Sequence, residues 1–327
     1  MVALVIGLGS MGRRRARLLR EIDKEATIVG VDLREKRRRR AQEELGMETC
    51  ASMKSACEKY RPNIAFVCAS PLSHASVIKE CLENNMHVFT EINLTDAGYE
   101  DNVALAKEKN KILFLSSTLL YRKETQYIKK AARESECNLT YVYHVGQYLP
   151  DWHPWEGYKD FFVGDRRTNG CRELMAIELP WIMDAFGEAE RIVSFASKNS
   201  SLEVDYPDTH QMTIFHKTGR QGTVVIDVVS RKPVRNFELF GEKIYLTWDG
   251  TPEGLNRYDY ETGECHKIKL YESVDQRSDY SPSIVEDAYK SEIVNFLNCI
   301  QGSQEPFHSF EKDKAILGLI DEVENYK

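Results

Sequence analysis

No apolar run in this chain of 327 residues approaches the ~20 residues that cross a bilayer, so the sequence predicts no membrane span. None of the eight cysteines forms a Cys-x-x-Cys pair, and they are scattered through apolar stretches. Such scattering is typical of reduced, buried thiols in a cytoplasmic protein, and it predicts neither a disulfide framework nor a metal site. The first residues also lack the basic segment of a signal peptide, so we expect no secretion.

The chain also has no excess of basic residues over acidic ones. The chain has 44 lysines and arginines against 51 acidic residues, a net charge of −7, which argues against a nucleic-acid-binding protein. The basic residues nevertheless concentrate in residues 13–17 and 34–40. In the second run Glu35 and Arg39 are spaced for i,i+4 pairing, which is typical of a solvated helix face. The alternative is that the basic residues attract a phosphate-bearing ligand.

Residues 1–115 show an alternation of short β-branched runs with helix-like stretches. Strands are expected over residues 2–6, 27–32, 63–68, 86–90 and 111–115, and helices over residues 11–22, 35–45, 73–84 and 96–110. This alternation predicts a parallel sheet covered by helices on both faces, the doubly wound arrangement.

After residue 117 the pattern changes. A helix over residues 121–136 and a tyrosine-rich strand over 139–149 are followed by an irregular aromatic segment and a helix over 172–186. Residues 191–270 consist of strands separated by turn signals, which predicts an antiparallel sheet, and helices from residue 282 close the chain. The sequence therefore predicts two domains, residues 1–118 with the doubly wound parallel sheet and residues 119–327 with an α+β fold.

A glycine-rich motif joins the first strand to the first helix. It reads Gly7-Leu8-Gly9-Ser10-Met11-Gly12, and its glycines allow a tight turn, close approach of a pyrophosphate and close helix–sheet packing. Asp32 ends the second strand, where its carboxylate can accept hydrogen bonds from the adenosine ribose. We therefore predict a Rossmann domain that binds NAD(H) through these residues, although Arg34 could pair with the 2′-phosphate of NADP(H).

Together with this motif, two further segments resemble the Gfo/Idh/MocA family, the glucose-fructose oxidoreductase and inositol dehydrogenase group, and the match covers nearly the whole chain. Phe66-Val67-Cys68-Ala69-Ser70-Pro71-Leu72-Ser73-His74 is similar to a segment that lies along the nicotinamide side of the cofactor in that family. Asn85-Met86-His87-Val88-Phe89-Thr90-Glu91 resembles the segment that leads into the family's Glu-Lys-Pro. The resemblance implies that the following residues also contact the cofactor: Ala69, Ser70, Pro71, His74, Glu91 and Asn93.

The same resemblance implies how the second domain is built and used. In that family it is an open antiparallel sheet with helices, and the face of the sheet covers the active site and often makes a dimer. The family's substrates are mostly sugars, inositols and nucleotide-linked sugars. We therefore expect a small carbohydrate-like substrate, no nucleic acid or membrane partner, and a homodimer or higher homo-oligomer. Residues 222–229 carry enough aliphatic side chains to leave an apolar patch on such a sheet.

Two departures from the family concern proton transfer. Glu91-Ile92-Asn93 stands where the family has Glu-Lys-Pro, and an isoleucine at the lysine position cannot exchange a proton. The family also places Asp and His four residues apart on a helix of the second domain, but no histidine occurs here between His153 and His210. Another side chain must therefore carry the proton if the protein is a dehydrogenase.

Three residues are the predicted proton carriers, namely Tyr121, His153 and Glu173. Tyr121 lies just past the domain junction, His153 lies in an irregular loop, and Glu173 occupies the gapless register of the family's helix Asp. For Glu173 a buried salt bridge is the structural alternative. The imidazole of His144, on a predicted strand, is suited to acid–base work, but a lone strand histidine is also typical of a structural residue.

Four aromatic residues before Gly164 bear on the substrate: Tyr148, Trp152, Trp155 and Tyr158. Aromatic faces suit sugar rings, whereas a hydrophobic plug between the domains is the alternative. The sequence thus favours a cytoplasmic NAD(H)-dependent oxidoreductase with non-standard proton-transfer residues that acts on a sugar, a polyol or a nucleotide-linked sugar. Resemblance to the biliverdin reductases, relatives that lack the lysine yet reduce their substrate, supports this interpretation. The alternative is a non-catalytic NAD-binding sensor or scaffold.

Overall fold

The computed structural model describes residues 1–153, 156–275 and 284–325. The chain divides into two compact units, Met1–Ser117 with Tyr289–Lys314, and Thr118–Ala288 with Ala315–Lys327. None of the helices in the described ranges is long and apolar enough to span a membrane.

The segment Tyr289–Lys314 returns to the first unit, which corrects the prediction that residues 119–327 form one domain. The ring of Phe296 explains the return, because it packs edge-on against Phe66 and Phe89 with centroid distances of 5.7 and 5.6 Å. An aromatic cluster of this kind stabilises the segment against the first sheet.

The first unit contains a six-stranded parallel sheet. Its strands are β1 Val2–Ile6, β2 Thr27–Val31, β3 Glu48–Cys50, β4 Ile64–Val67, β5 His87–Thr90 and β6 Leu113–Leu115. The helices between them are α1 Ser10–Ile22, α2 Glu35–Leu45, α3 Met53–Tyr60, α4 His74–Glu83 and α5 Tyr99–Glu108. The strand order is β3-β2-β1-β4-β5-β6, and all neighbouring strands are parallel. The order reverses between β1 and β4, and doubly wound sheets bind ligands beyond the carboxyl ends of their strands at such a point.

The strands of this sheet are apolar along most of their length. All four residues of β4 are buried, and so are four of the five residues of β1. Parallel strands of this composition require cover on both faces, which the intervening helices provide in a doubly wound fold. The predicted doubly wound parallel sheet is confirmed, and β3 with α3 is added to it.

The second unit contains an eight-stranded mixed sheet. Its strands are β7 Thr140–Gly146, β8 Ala189–Ser197, β9 Thr209–His216, β10 Gln221–Asp227, β11 Val234–Gly241, β12 Ile244–Trp248, β13 Asn256–Asp259 and β14 Glu264–Lys267. The remaining helices in the described residues are α6 Lys123–Glu134, α7 Gly170–Phe186, α8 Glu286–Ile300 and α9 Phe310–Asn325. The strand order is β14-β13-β12-β11-β7-β10-β9-β8. The predicted antiparallel pairing is confirmed for most neighbours, but β7 and β10 are parallel.

One face of this eight-stranded sheet is buried and the other is open in the described part of the chain. Tyr141 on β7 is fully buried and stacks on Phe186 of α7 with ring centroids 4.4 Å apart. The next residue, Val142, points to the opposite face and is 42% exposed, and its cross-strand neighbour Thr223 is exposed as well. The alternation along β7 therefore places a helix-covered core on one face and leaves a second face available.

Candidate functional site

The glycine loop between β1 and α1 has the geometry of a phosphate-binding loop. A Cβ at Gly7 would lie 2.5 Å from the Cys68 carbonyl oxygen, and one at Gly12 would lie 1.9 Å from the Gly7 oxygen. The fold itself therefore excludes side chains at these two positions. At Gly9 the nearest described atom to such a Cβ would be Nη1 of Arg37, 4.0 Å away, so Gly9 leaves space for a ligand to approach the backbone.

Helix α1 begins at this loop with its first amides available to a ligand. Gly9 is the N-cap residue and offers no side-chain acceptor, and the first turn contains no acidic residue. Ser10 is exposed and Met11 is half-buried. Unsatisfied N–H donors and the positive end of the helix dipole attract phosphate groups. The residues predicted to bind the pyrophosphate thus fit a dinucleotide.

Asp32 follows β2 and faces the glycine loop. Its Oδ2 accepts a hydrogen bond from the Leu8 N–H at 2.9 Å, and its Oδ1 accepts one from the Arg34 N–H at 2.8 Å. These bonds fix the carboxylate beside the loop, and each oxygen keeps a second lone pair for a ligand hydroxyl. The arrangement fits the predicted contact with the adenosine ribose.

The segment after β4 carries further predicted cofactor residues. Ala69 is half-buried, Ser70 is exposed, and Pro71 is buried at the start of a 3-10 turn. His74 is buried, its Nε2 donates to the Ala69 carbonyl at 3.0 Å, and its Nδ1 lies 2.7 Å from the side-chain amide of Asn93. Burial lowers the pKa of His74. Both ring nitrogens are therefore used within the protein, and the His74–Asn93 pair links the loops that follow β4 and β5.

Glu91, directly after β5, is engaged by a buried arginine. Arg15 of α1 donates to Glu91 at 2.6 Å and to Glu292 of α8 at 2.7 Å. The side chains of Arg15 and Glu292 are fully buried, whereas that of Glu91 is 13% exposed. Burial alone would lower the pKa of Arg15, but the two carboxylates outweigh it and raise the pKa. We call these three residues the Arg15 cluster; Glu91 serves in it as an internal ion-pair partner.

Of the three predicted proton carriers, Glu173 has the environment of an acid–base group. Asn169 caps α7 by accepting from the Arg172 N–H at 2.8 Å, which places Glu173 in the first turn. Oε2 of Glu173 is buried and has no hydrogen-bond partner in the described ranges. Arg172 pairs instead with Asp321 and Glu324, at 2.8 and 2.6 Å. Burial raises the pKa of Glu173 to about 8, so the side chain is mostly a protonated acid at neutral pH.

The other two predicted carriers lie in different surroundings. Tyr121 ends a 3-10 turn and is 7% exposed. His153 is half-buried, its ring packs on Phe161 with centroids 4.3 Å apart, and its Nδ1 lies 3.9 Å from the Glu156 carboxylate. Both belong to the second unit, as Glu173 does.

His144 pairs with a carboxylate on the open face of the second sheet, a partner that sequence reasoning missed. Its Nε2 lies 2.7 Å from Oδ2 of Asp227. A Cβ at Gly146 would lie 2.3 Å from the same oxygen, so the glycine makes room for the pair. Although burial opposes it, the hydrogen bonds from His144 and from the Val229 and Ser230 amides lower the pKa of Asp227. These contacts favour the structural role for His144.

Among the described members of the predicted aromatic cluster, Trp152 packs near α7. Its indole Nε1 donates to the Gln147 carbonyl at 3.0 Å, which fixes the ring. A Cβ at Gly170 would lie 3.4 Å from the ring edge, so the indole packs over the start of α7. Gly170 and Glu173 are three residues apart and share one face of the helix. The indole and the carboxyl group therefore belong to the same region of the second unit.

The other aromatic residues of the cluster have separate contacts. The Arg231 guanidinium stacks on Tyr148 at 4.0 Å from the ring centroid, and the hydroxyl of Tyr158 accepts from the Glu203 N–H at 3.2 Å. Trp155 lies outside the described residues. Among the described members of the cluster, Trp152 is thus the one that packs at the end of α7 that carries Glu173.

Among the residues that the structure describes, no three His, Cys, Asp or Glu side chains form a group that could hold a metal ion.

One further buried titratable group was missed by sequence reasoning. His210 on β9 is 1% exposed, its Nδ1 has no hydrogen-bond partner in the described chain, and burial lowers its pKa to about 4. Its alternation with the buried Met212 and Ile214 is the signal that could have placed it in the core.

Three comparisons place these features among known proteins. Residues 1–117 match the model of the oxidoreductase family with an NAD-binding Rossmann fold, GFO_IDH_MocA. Myo-inositol 2-dehydrogenase of Thermotoga maritima is 24% identical over 331 residues, which cover 96% of this chain and 92% of that protein.

Solved structures share the fold over almost the whole chain. An oxidoreductase from Agrobacterium radiobacter, solved with NAD+, L-tartaric acid and magnesium, gives a TM-score of 0.78 at 11% identity and covers 98% of this chain and 94% of its own. UDP-N-acetylglucosamine 3-dehydrogenase from Acidithiobacillus ferrooxidans gives a TM-score of 0.75 at 16% identity and covers 99% of this chain and 96% of its own. At these identities the likeness concerns the fold.

Proposed function

Because residues 1–117 match the model of the GFO_IDH_MocA oxidoreductase family, we propose that this chain is an NAD(H)-dependent oxidoreductase of that family acting on a sugar, a polyol or a nucleotide-linked sugar. The observation that carries the cofactor assignment is the open position at Gly9 beside the uncapped amides of α1. Asp32 is the acceptor for the ribose hydroxyls, and its carboxylate is already fixed by the Leu8 amide. When bound, the cofactor supplies the donor or acceptor of a hydride.

Glu173 is the proposed proton carrier for the substrate oxygen. When a carbonyl is reduced to an alcohol, its oxygen needs a proton, which the Glu173 carboxylic acid donates as it becomes a carboxylate. In the oxidation direction the carboxylate takes the hydroxyl proton back. Because burial raises the pKa of Glu173 to about 8, the acid form prevails at neutral pH and supports reduction. The buried Oε2, which has no partner in the described ranges, supports this role over a structural one.

The proposed substrate class rests on Trp152 and on the relatives. The apolar face of a sugar or inositol ring packs well on an indole, and Trp152 lies over the end of α7 that carries Glu173. A ring held there would have hydroxyl or carbonyl groups close to the carboxyl. The names of two similar proteins, myo-inositol 2-dehydrogenase and UDP-N-acetylglucosamine 3-dehydrogenase, point to the same class of molecule.

The direct test is a panel assay that follows the nicotinamide absorbance. NAD+ is offered with sugars, polyols and nucleotide sugars, and NADH with the corresponding ketones; at least one pair is expected to react. Gly9→Val is the negative control. Residue 9 has a φ of −66° and open space at its Cβ, so the variant can fold while the valine side chain fills the space for the ligand. If NAD+ binds and no panel member reacts, the alternative of a sensor or scaffold replaces the proposed enzyme.

Cofactor preference is expected to depend on Asp32. A carboxylate accepts hydrogen bonds from the ribose diol and repels a 2′-phosphate, so NAD(H) should bind more tightly than NADP(H). Asp32→Ala should narrow that gap, whereas Asp101→Ala, at an exposed position of α5, should leave it unchanged. Calorimetry measures both affinities. Equal affinities in the wild type would contradict the role of Asp32 and leave Arg34 as the determinant.

We also propose a homodimer through the open face of the second sheet. Phe195 is 68% exposed, Val142 42% and Phe240 37%, and the strand registers place all three on this face. Exposed apolar groups on one surface mark an interaction site. Light scattering at micromolar concentration is expected to give twice the 37.7 kDa monomer mass, and Phe195→Lys should shift the protein toward monomer. A monomeric wild type contradicts this proposal.

We also propose that the protein is cytoplasmic. All eight cysteines are free thiols, and Cys265 among them is exposed. Thiols persist in this state in a reducing compartment.

A further inference from the structure

Two turns at one end of the second sheet meet at the start of α7. One follows β7, at residues 147–152, and the other follows β10, at residues 228–232. The Leu149 N–H donates to the Val228 carbonyl at 2.9 Å, so we call these segments the joined turns. A Cβ at Gly170 would lie 3.0 Å from a Val228 methyl and 3.1 Å from a Leu149 methyl. Both turns therefore pack against the first turn of α7, which carries the proposed proton carrier.

The joined turns hold the guanidinium of Arg231 in a fixed position. It stacks on the ring of Tyr148, 4.0 Å from the ring centroid. The backbone beside it is fixed as well, because the Val229 and Ser230 amides donate to the Asp227 carboxylate at 2.9 and 2.7 Å. A guanidinium stacked on an aromatic face directs its N–H donors outward along its edge, where a ligand can accept from them.

Asp151 forms only a loose ion pair with this guanidinium. Its Oδ2 lies 4.0 Å from Nη1 of Arg231, which is too far for a hydrogen bond. The two side chains are 51% and 71% exposed, and exposed pairs contribute little to stability. Lys232, the next residue, is exposed and adds a second positive charge. An anionic ligand can therefore reach Arg231 without displacing a strong internal bond.

We propose that Arg231 binds an anionic group of the substrate, a phosphate or a carboxylate, so that the protein prefers a phosphorylated, nucleotide-linked or acidic sugar over a neutral sugar or polyol. The inference rests on the proposed function and narrows its substrate class. The sugar ring packs on Trp152 near Glu173, and the charged substituent extends along the joined turns to Arg231. A planar guanidinium can hold two oxygens of a phosphate or a carboxylate at once.

The test is calorimetry on the protein saturated with NADH. D-glucose is compared with D-glucose 6-phosphate and D-glucuronate, and N-acetylglucosamine with UDP-N-acetylglucosamine. At least one anionic ligand is expected to bind more tightly than its neutral counterpart, and its identity distinguishes a phosphate from a carboxylate. Loss of a charge-assisted contact should make Arg231→Gln weaken that ligand by about tenfold or more, while the neutral counterpart changes little. Arg231→Lys should recover part of the loss.

Two further variants make the test specific. Asp151→Asn removes the loosely paired carboxylate, so it should tighten the anionic ligand by about threefold. Arg191→Gln is the matched control, because Arg191 also stacks on an aromatic ring of the second unit, Phe215, at 4.2 Å from the centroid. This control should bind every ligand as the wild type does. A melting curve of each variant separates a loss of binding from a loss of folding.

The inference is overturned if Arg231→Gln weakens the anionic ligands no more than Arg191→Gln does. It is also overturned if the ligands that bind, or the members of the wider substrate panel that react, are all neutral, a result that leaves the proposed function standing. If none of these ligands binds and no member of the wider panel reacts, the proposed function fails and this inference fails with it.

Discussion

Replacing Glu173 by Gln is expected to lower turnover by at least about a hundredfold, because a positioned acid or base contributes about 10²–10⁴-fold to proton transfer. NAD+ affinity should be unchanged, since Glu173 is not among the residues proposed to hold the dinucleotide. Glu190→Gln, at an exposed position of β8, is the matched control and should have native turnover.

The pH profile separates this chemical role from a structural one. For carbonyl reduction the rate should fall as pH rises through about 8, where Glu173 loses its proton, and for alcohol oxidation it should rise through the same value. Glu173→Gln should remove this inflection. Tyr121→Phe and His153→Gln test the other two candidates. If all three variants keep near-native turnover, the assignment of the active site is wrong.

Replacing Arg15 by Met is expected to cost about 3–5 kcal/mol of unfolding free energy, the range for removing one partner of a buried ion pair. The variant leaves the fully buried Glu292 and the mostly buried Glu91 without their cation. Urea unfolding measures the loss. Arg39→Met is the control, because its pair with Glu35 is exposed and such pairs contribute about 0–1 kcal/mol.

A second variant distinguishes the loss of charge balance from the loss of packing. Adding Glu91→Gln and Glu292→Gln to Arg15→Met removes both uncompensated carboxylates, so stability should recover in part. Equal stability of Arg15→Met and Arg39→Met would show that the Arg15 cluster contributes little.

The first unit was largely predictable from sequence because its elements are strongly patterned. The fully apolar β4 and the charged helix α2, which ends at Gly46 in a left-handed conformation, gave clear signals. The strand β3 and the helix α3 were missed. β3 has three residues of which one is buried, and α3 has eight residues, so neither is long enough for a periodic pattern. The strand β3 forms by parallel pairing with β2.

Long-range contacts could not be predicted from one sequence. Turn signals predict the hairpins of the second sheet, but the parallel pairing of β7 with β10 joins strands that are distant along the chain. The Arg15 cluster joins residues 76 and 277 positions apart, and its buried carboxylates resemble surface residues in the sequence. The same limit concealed the return of Tyr289–Lys314 to the first unit.

In the candidate site, too, local features could be predicted from the sequence and features that depend on long-range contacts could not. The glycine motif and Asp32 could be predicted because a local spacing encodes them, and their roles as ligand contacts remain predictions. For Glu173 the resemblance supplied the position, whereas the missing partner and the raised pKa follow from burial around α7. His74 and Asn93 were predicted to contact the cofactor, but their described hydrogen bonds join them to each other and to the Ala69 carbonyl.

That Glu173 carries the proton in place of the missing lysine and histidine is tested most directly by titrating its carboxyl group. With 13C-labelled glutamate, the carboxyl resonance that disappears in Glu173→Gln identifies the residue, and no substrate is needed. The predicted midpoint is about 8, because burial raises the pKa of this group. A midpoint near the ordinary value of about 4.3 would contradict the proposal, since the side chain would then be a carboxylate at neutral pH with no proton to donate.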